Sequence, residues 1–409
     1  MKKLFSLSLI VCMTLTAAVY AQDTNTAAAR AATGLKDAYT EKFLIGAAGD
    51  IPNRYSEDEL ANIRANYNII TPENCMKPGP IHPKEGTYNF TLPDTLVQWC
   101  QDNGIKVWGH TLAWHAQTAP WFFEAEPSET EETAARPARP PATAGNRQGP
   151  RPSMAEFWRR RINGPLVSRE VAMERLKNHI MTVVGRYKGR IIGWDVFNES
   201  IADSGDCTTE NLRTFSWYQV VGPDVLTMAF KWAQEADPNA QLYYNDYNIE
   251  QGAAENKGKH ASSILLLKRI IAEGAPITGV GIQGHWHLDT NLADVEQAII
   301  NYASLGLRVA ITELDVTATG SNSGAFGFGR NAEPIPPENY EKQAEVYKAL
   351  FEIFMRHSDV IDRVTFWGVS DTRSWRRGRG ALIFDGELQP KPAYYAIMNL
   401  GTGEKEPAQ

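Results

Sequence analysis

The sequence predicts an α/β protein that folds as a single closed (β/α)8 barrel, a TIM barrel. Eight short apolar runs alternate along the chain with eight segments of helical periodicity. This alternation predicts a parallel sheet, because each strand must return through a helix before the next strand begins. A chain of 409 residues is long enough to close that sheet, since barrels of this kind often exceed the length of an average domain.

The predicted elements follow one another without a break in the pattern. The strands are FLIGAAGD (43–50), NIITPEN (68–74), KVWGHTLAWH (106–115), IIGWDVFNES (191–200), QLYYNDYN (241–248), GVGIQGHW (279–286), RVAITELDV (308–316) and VTFWGVSD (364–371). The helices cover 56–67, 92–103, a segment with Val171, Leu176 and Ile180 on one side, 223–236, 256–273, 292–304, 338–356 and 392–399. The first helix has the strongest start signal, a capping box formed by Ser56 and Glu59.

Three segments depart from the alternation. Residues 1–21 combine two early lysines with an apolar run too short to span a membrane, which predicts a signal peptide and an exported protein, periplasmic or extracellular. Residues 125–153 are rich in Pro, Ala and charge, which predicts an insertion without a packed core. The Gly-rich residues 317–337 predict a long loop that either lines the outer cleft or is simply solvated.

Charge and cysteine content exclude several classes of protein. The formal net charge of −7 disfavours nucleic acid and anionic membranes as partners, and no segment after the leader predicts membrane insertion.

Cys75, Cys100 and Cys207 remain after the leader, and their odd number and wide spacing predict neither a disulfide framework nor a metal cluster. One pair is possible, but three free buried thiols are favoured. We expect a monomer.

Three motifs resemble binding signatures of other protein classes. GVGIQG (279–284) matches a dinucleotide fingerprint, but its glycines lie within a strand and not at a strand-to-helix turn. His285 and His287 have no carboxylate or thiol at ligand spacing, so we predict no metal. The basic stretch TRSWRRGRG (372–380) is one short loop in an acidic protein. None of the three supports a cofactor.

Polar and aromatic residues stand where the predicted strands end. In a barrel the carboxyl ends of the strands converge on one site. Here they supply Glu73, Asn74, His110, Trp114, His115, Asn198, Glu199, Asn245, Tyr247, Gln283, His285, Glu313 and Trp367. Amides and imidazoles bind hydroxyls, and indole faces stack on sugar rings, so the set predicts a carbohydrate site.

Seven motifs in chain order resemble glycoside hydrolase family 10, the retaining endo-β-1,4-xylanases. They are TPENCMK, GHTLAWH, WDVFNES, YYNDYN, GIQGHW, ITELD and TFWGVSD, and the likeness runs from about residue 33 to 402. The resemblance implies a catalytic barrel that acts on xylan and xylo-oligosaccharides, with Glu199 as acid/base and Glu313 as nucleophile. It also implies substrate contacts, on the glycone side of the cleft from Glu73, Asn74, Lys77, His110 and Trp114 with Gln117 beside them, and elsewhere from Asn198, Tyr247, Gln283, His285, Trp367 and Trp375. The supporting residues are His115, Asp195, Asn245 and Asp315.

Two features depart from the family pattern. Pro78 follows Lys77 where the family usually has Trp, and the insertion at 125–153 has no counterpart. Both bear on substrate length and affinity and not on the reaction.

Strand periodicity gives a separate test of the two carboxylates. A period of two places Ile311, Glu313 and Asp315 on one face, which predicts that Asp315 binds His285 and that His285 binds Glu313. The same period places Asn198 and Glu199 on opposite faces, so a β-bulge or the strand end must lie there if both serve the sugar. For retention the two carboxyl groups should be ~5–5.5 Å apart.

Two other functions remain open from the sequence. One is a retaining barrel glycosidase that acts on β-glucan or mannan with the same carboxylate pair. The other is a sugar-binding protein with an inactive site, which the presence of both Glu199 and Glu313 disfavours.

Overall fold

The computed structural model describes residues 34–125, 165–203, 207–214, 217–319 and 334–403. The predicted signal peptide, all but the first residue of the predicted insertion, and residues 320–333 of the Gly-rich loop lie outside the described residues. The described residues form a closed parallel barrel surrounded by helices, as the sequence predicts.

Within the described residues, nine strands build the sheet. They are β1 (Leu44–Ala48), β2 (Ile69–Thr71), β3 (Lys106–Trp114), β4 (Gly193–Asn198), β5 (Gln241–Asp246), β6 (Gly279–Ile282), β7 (His285–His287), β8 (Arg308–Thr317) and β9 (Ile361–Phe366). Strands β1 to β6 pair in chain order, β6 pairs with β8, β8 with β9, and β9 with β1, which closes a barrel of eight. The short β7 pairs with the far end of β8.

Each barrel strand is followed by one longer helix. The helices are α1 (Leu35–Ala38), α2 (Glu57–Asn66), α3 (Pro78–Ile81), α4 (Thr91–Asp102), α5 (Arg169–Arg186), α6 (Trp217–Val220), α7 (Val225–Ala236), α8 (Gly258–Ala272), α9 (Leu292–Ala303), α10 (Pro337–Arg356) and α11 (Pro392–Thr402). The capping box predicted for α2 is present, since Ser56 Oγ accepts from the Glu59 amide (3.2 Å) and Glu59 Oε2 accepts from the Ser56 amide (2.7 Å). In the described ranges, no helix combines the length and apolar character needed to cross a membrane.

Six of the eight predicted strands lie within three residues of their predicted limits at both ends, and two differ more. The strand predicted over 279–286 is interrupted at Gln283 and Gly284, where Gly284 has a φ of +78°. The last strand begins at Ile361 and ends at Phe366, earlier than predicted at both ends. Its start was missed because two charged residues, Asp362 and Arg363, follow Ile361 and read as a loop.

Smaller corrections concern one helix and one thiol. Val171 is exposed, and Ala172 is the residue buried with Leu176 and Ile180 on α5. The three cysteines are free, but only Cys75 and Cys100 are buried, whereas Cys207 is partly exposed. The prediction of three buried thiols is therefore wrong for Cys207.

The barrel interior is filled in its N-terminal half. Ile69, Trp108, Tyr243 and Ala310 form a small cluster there, separate from the large apolar layer between strands and helices. The buried Arg363 guanidinium lies 3.3 Å from the centre of the Trp108 ring. These side chains fill the barrel interior at the amino ends of the strands. The space that remains for a polar site therefore lies at the carboxyl ends.

Candidate active site

Two glutamates lie at the carboxyl ends of β4 and β8. Glu313 is buried within β8, and Glu199 directly follows the last residue of β4 with its side chain 14% exposed. Both are the residues that the sequence predicts for this position. Their orientation depends on an irregularity in each strand.

A bulge in β4 turns its end toward the barrel interior. Asp195 and Phe197 pair with consecutive residues of β5, so Val196 is an extra residue in β4. Asn198 consequently reaches the interior, where its Oδ1 accepts from Asn245 Nδ2 (2.9 Å). Glu199 then adopts a left-handed φ of 55°, outside the strand. The predicted bulge and the predicted strand end are thus both present.

Strand β8 has a similar extra residue. Ile311 and Leu314 lie opposite β9 residues that are only two positions apart. As a result Thr312 and Glu313, although consecutive, both bind Asn245. Ile311 packs instead in the layer between strands and helices, so the prediction that it shares a face with Glu313 is wrong.

Neutral donors surround the Glu199 carboxylate. Trp114 Nε1 donates to its Oε2 (2.8 Å), and Gln283 Nε2 donates to its Oε1 (3.0 Å). His115 Nε2 lies 3.8 Å from Oε2. Burial lowers the pKa of His115 to about 3, so this imidazole is uncharged at neutral pH.

A cation and an amide surround the Glu313 carboxylate. Asn245 Nδ2 donates to Oε1 (2.8 Å), and His285 Nε2 lies 3.3 Å from Oε2. Burial acts to lower the pKa of His285, but the charges of Asp315 and Glu313 raise it to about 9. Burial also acts to raise the pKa of Glu313, yet its hydrogen bond with His285 and the nearby positive charges hold that pKa below its usual value. Glu313 is therefore ionised at neutral pH.

Asp315 anchors His285 from the other side. Its Oδ2 lies 2.9 Å from His285 Nδ1 and accepts from Trp375 Nε1 (2.9 Å). Arg376 Nε lies 3.0 Å from Oδ1. The predicted bonds from Asp315 to His285 and from His285 to Glu313 are present. Arg376 was missed because the basic stretch 372–380 was interpreted only as one short loop in an acidic protein.

Asn245 connects the two strand ends. Its amide nitrogen donates to both Asn198 and Glu313, and its Oδ1 accepts from the Thr312 hydroxyl (2.6 Å). The Asn245 side chain, for which a supporting role is predicted, is thus buried, and both its amide nitrogen and its amide oxygen form hydrogen bonds.

The residues predicted to hold the glycone lie after β2 and on β3. Lys77 Nζ lies 5.0 Å from the centre of the Trp114 ring and donates to Asn74 Oδ1 (3.3 Å). Burial lowers the pKa of Lys77, although nearby carboxylates oppose this. Burial also raises the pKa of Glu73. These side chains form one wall that includes Trp114, the donor to Glu199.

His110 on β3 contacts Trp367, which directly follows β9. His110 Nδ1 lies 2.9 Å from Asp195 Oδ2, and Asp195 Oδ1 accepts from Trp108 Nε1 (2.9 Å). Trp367 packs edge-on against His110, with ring centres 5.3 Å apart. Asp195 therefore orients His110, in the supporting position predicted for it.

Two predicted contacts join the site less directly. Gln117 lies beside the segment that follows Lys77, since its main-chain carbonyl accepts from the Gly79 amide (2.6 Å). Tyr247 accepts from Arg213 Nη2 (2.9 Å), and Arg213 Nε donates to the Glu199 carbonyl (2.8 Å). Arg213 was missed because it lies in a loop after β4, where neither periodicity nor a strand end marks it.

Comparison with known proteins identifies the family. The model of glycosyl hydrolase family 10 matches residues 34–400. The β-1,4-xylanase of Dictyoglomus thermophilum is 36% identical over 89% of this chain and 90% of its own length. Exoglucanase XynX of Acetivibrio thermocellus is 35% identical over 89% of this chain. The chain spans only 29% of that relative and 27% of endo-1,4-beta-xylanase A of Thermoanaerobacterium saccharolyticum.

Solved structures agree with the family model. The crystal structure of TsXylA, an intracellular xylanase from T. saccharolyticum, has a TM-score of 0.72 and 32% identity over 90% of this chain and 99% of its own. Fold, strand-end motifs and family model coincide over the same residues. The chain belongs to glycosyl hydrolase family 10.

Proposed function

We propose that the protein is an endo-1,4-β-xylanase that hydrolyses internal bonds of xylan with retention of configuration. The observation that carries the proposal is the contrast between its two carboxylates. Glu313 binds a protonated imidazole and has a lowered pKa, whereas Glu199 binds the neutral donors Trp114 and Gln283. A pair of carboxyl groups in unlike surroundings can divide the roles of nucleophile and acid.

In the first step the Glu313 carboxylate attacks the anomeric carbon of the sugar. The bond to the leaving oxygen breaks, and Glu199 transfers its proton to that oxygen. In the second step Glu199, now ionised, takes a proton from water as the water oxygen attacks the same carbon. The ester to Glu313 breaks, and both carboxyl groups return to their starting states. Two inversions give net retention.

The substrate assignment rests on the relatives and on the walls of the site. Relatives named xylanases are similar over nearly all of this chain. Lys77, His110 and Asn198 supply polar groups for sugar hydroxyls, and the indoles of Trp114, Trp367 and Trp375 border the site.

Proton NMR of freshly released products tests the proposal. Xylohexaose should first yield β-anomers of shorter xylo-oligosaccharides, and trapping with a 2-fluoro xylobioside should add one sugar to Glu313 by peptide mass. Initial α-anomers, or a label on another residue, would contradict the mechanism. Release of only xylose or xylobiose from the chain end would contradict the endo assignment.

A second candidate substrate is β-1,4-glucan, because one relative is named an exoglucanase. Initial rates on xylan, mixed-linkage glucan, carboxymethylcellulose and mannan decide between them. Glu313→Gln, prepared in the same way, serves as the blank for contaminating hydrolases. A glucan rate above the xylan rate would replace the substrate assignment and leave the mechanism in place.

We also propose that the protein is exported by residues 1–21 and acts as a monomer. The support for export is the leader composition alone. The T. saccharolyticum relative is called intracellular, so the point needs its own test. N-terminal sequencing of protein recovered from periplasm or medium should begin at Gln22, and light scattering should give one chain per particle.

A further inference from the structure

The turn that carries Glu199 has an unusual main-chain conformation. Glu199 has a left-handed φ of 55°, which residues with a Cβ rarely adopt. Such a residue persists in this region only where the surrounding structure fixes the adjacent peptide groups. The Glu199 amide donates to the Asn245 carbonyl (2.8 Å), and the Glu199 carbonyl accepts from Arg213 Nε (2.8 Å). Other parts of the chain therefore hold the peptide groups on both sides of this residue.

The two amides after Glu199 are bound by side chains of β5. The Ser200 amide donates to the Tyr244 hydroxyl (3.1 Å), and the Ile201 amide donates to Asp246 Oδ2 (3.3 Å). The Tyr244 hydroxyl in turn donates to the same Oδ2 atom. Both amides therefore depend on Asp246, one of them directly and the other through the phenol.

Asp246 is also fixed through its other carboxylate oxygen. Its Oδ1 accepts from the Tyr247 amide (2.8 Å) and lies 2.8 Å from Lys259 Nζ. The Asp246 side chain is fully buried, and that of Lys259 is only 8% exposed. Burial raises the pKa of Asp246, and the positive charge of Lys259 opposes that rise. Because all the groups bound to its oxygens are donors, the ionised form is the one that suits this position.

The Glu199 carboxyl depends on this turn because it lies beyond the regular part of β4. Pairing of β4 with β5 ends at Asn198. Trp114 and Gln283 bind the oxygens of the Glu199 carboxylate but not its main chain. A general acid must lie within hydrogen-bond reach of the oxygen that it protonates. A turn that relaxed to an ordinary φ would redirect the Glu199 side chain and take the acid out of reach.

We propose that Asp246, with Tyr244 as its intermediary, is the positioning residue for the acid/base Glu199. The inference rests on the proposed xylanase function and adds a residue to its mechanism. Asp246 is fully buried and acts only through the main chain of the turn. It holds Glu199 where this residue can protonate the leaving oxygen in the first step and take a proton from water in the second. The nucleophile Glu313 lies within β8 and does not belong to this turn.

The test measures how kcat/KM depends on the leaving group of aryl xylobiosides. Asp246→Asn keeps the size of the side chain but leaves one acceptor oxygen where there were two. With phenolate as the leaving group, which needs a proton, kcat/KM should fall about ten- to hundredfold, since a displaced general acid loses most of its effect. With dinitrophenolate, which needs none, it should stay within about twofold of wild type. Hydrolysis of the glycosyl-enzyme should then be slower, because Glu199 acts there as the base.

Tyr244→Phe tests the same turn with a smaller change. It removes only the hydroxyl that links the Ser200 amide to Asp246. Its kcat/KM should depend on the leaving group in the same direction and to a smaller extent. This variant decides the outcome if Asp246→Asn does not fold.

Asp237→Asn is the matched control. Asp237 is another buried carboxylate that accepts from two main-chain amides, those of Gly189 (2.9 Å) and Asn239 (3.1 Å). It follows α7 and precedes β5, so it lies at the amino ends of the strands, on the face opposite the site. This variant should lose stability in urea and yet keep the wild-type ratio of kcat/KM between the two aryl xylobiosides.

The ratio of kcat/KM between the two substrates decides the inference. A ratio that stays within about twofold of wild type in the folded variants would overturn it, because a loss shared by both substrates indicates a general distortion of the site. If the wild type hydrolyses xylohexaose but the ratio does not move, only the positioning role fails. If the wild type hydrolyses neither xylohexaose nor the aryl xylobiosides, the xylanase proposal fails and the positioning role fails with it.

Discussion

Adding one methyl group at Gly281 should reduce activity strongly, because it would displace the amide that binds the proposed nucleophile. A Cβ at this position on β6 would lie 2.3 Å from Asn245 Oδ1 and 2.7 Å from Thr312 Cγ2. Ordinary contact begins near 3.4 Å, so Asn245 would have to move by about 1 Å. It has little freedom to do so, because its amide binds Asn198, Glu313 and Thr312 at once.

The magnitude follows from that displacement. Overpacking a buried site costs about 1–3 kcal/mol of stability, so Gly281→Ala should lower the free energy of unfolding by that amount. A shift of about 1 Å in the groups that orient a catalytic side chain costs about a hundredfold in rate. We expect kcat on an aryl xylobioside to fall about a hundredfold, with a smaller change in KM.

The assay pairs urea unfolding with steady-state kinetics at a temperature well below the transition of the variant. Gly185→Ala on α5 is the matched control, since no atom lies within 4 Å of its added Cβ. That change should leave kcat unaltered and raise stability by up to about 1 kcal/mol. Wild-type stability and turnover in Gly281→Ala would refute the close approach of β6 to Asn245.

Three further predictions concern the charged groups. Glu313→Gln should reduce turnover to below about a hundredth while circular dichroism shows that the protein stays folded, since covalent catalysis is lost but shape is kept. Faster turnover would remove the nucleophile assignment. Glu199→Ala should nearly abolish xylan hydrolysis. A dinitrophenyl xylobioside should still release dinitrophenolate in a rapid burst, because this leaving group needs no proton, and the glycosyl-enzyme should then be hydrolysed slowly. Equal slowing of both substrates without a burst would contradict the acid/base role. His285 has a raised pKa of about 9, so its protonation stabilises the folded state. This stabilisation is fully present below pH 6.5 and is lost as the pH rises through 9. His285→Asn should therefore be about 3 kcal/mol less stable than wild type in urea at pH 6 and much closer to it at pH 10, and a pH-independent difference would argue against the charge.

The architecture was predictable because it depends on repeating patterns. Apolar runs and helical periodicity located all eight barrel strands and the helix after each one. The largest error in a strand limit arose where charged residues lie near the start of a strand. In β9, Asp362 pairs with Arg308 on β8 and Arg363 stacks on Trp108 on β3, and both partners are distant in the sequence. A local pattern carries no information about such partners.

The site was predictable in its members but not in its orientation. The order of the motifs along the chain predicted that Glu199, Glu313 and His285 lie close together at one site. Strict alternation put Asn198 and Glu199 on opposite faces and so predicted a bulge or the strand end there, but it also put Ile311 on the same face as Glu313, where no bulge was predicted. A bulge is set by how the neighbouring strands pair, so it can be seen only when β4 is matched to β5 and β8 to β9.

The two bulges also explain how one barrel holds two unlike carboxylates close to one amide. The β4 bulge turns Asn198 toward the interior, and Glu199 joins it through its left-handed φ just past the strand end, whereas the β8 bulge turns both Thr312 and Glu313 inward. Asn245, on the strand next to β4, bonds to one member of the first pair and to both of the second. The amide thereby fixes the two strand ends relative to each other without placing a charge between them. The different surroundings of the carboxylates then come from outside this frame, from His285 on β7 for Glu313 and from the indole of Trp114 for Glu199. Position and charge state are in this way set by separate residues, so a substitution at His285 should change the charge balance at Glu313 while Asn245 keeps its position.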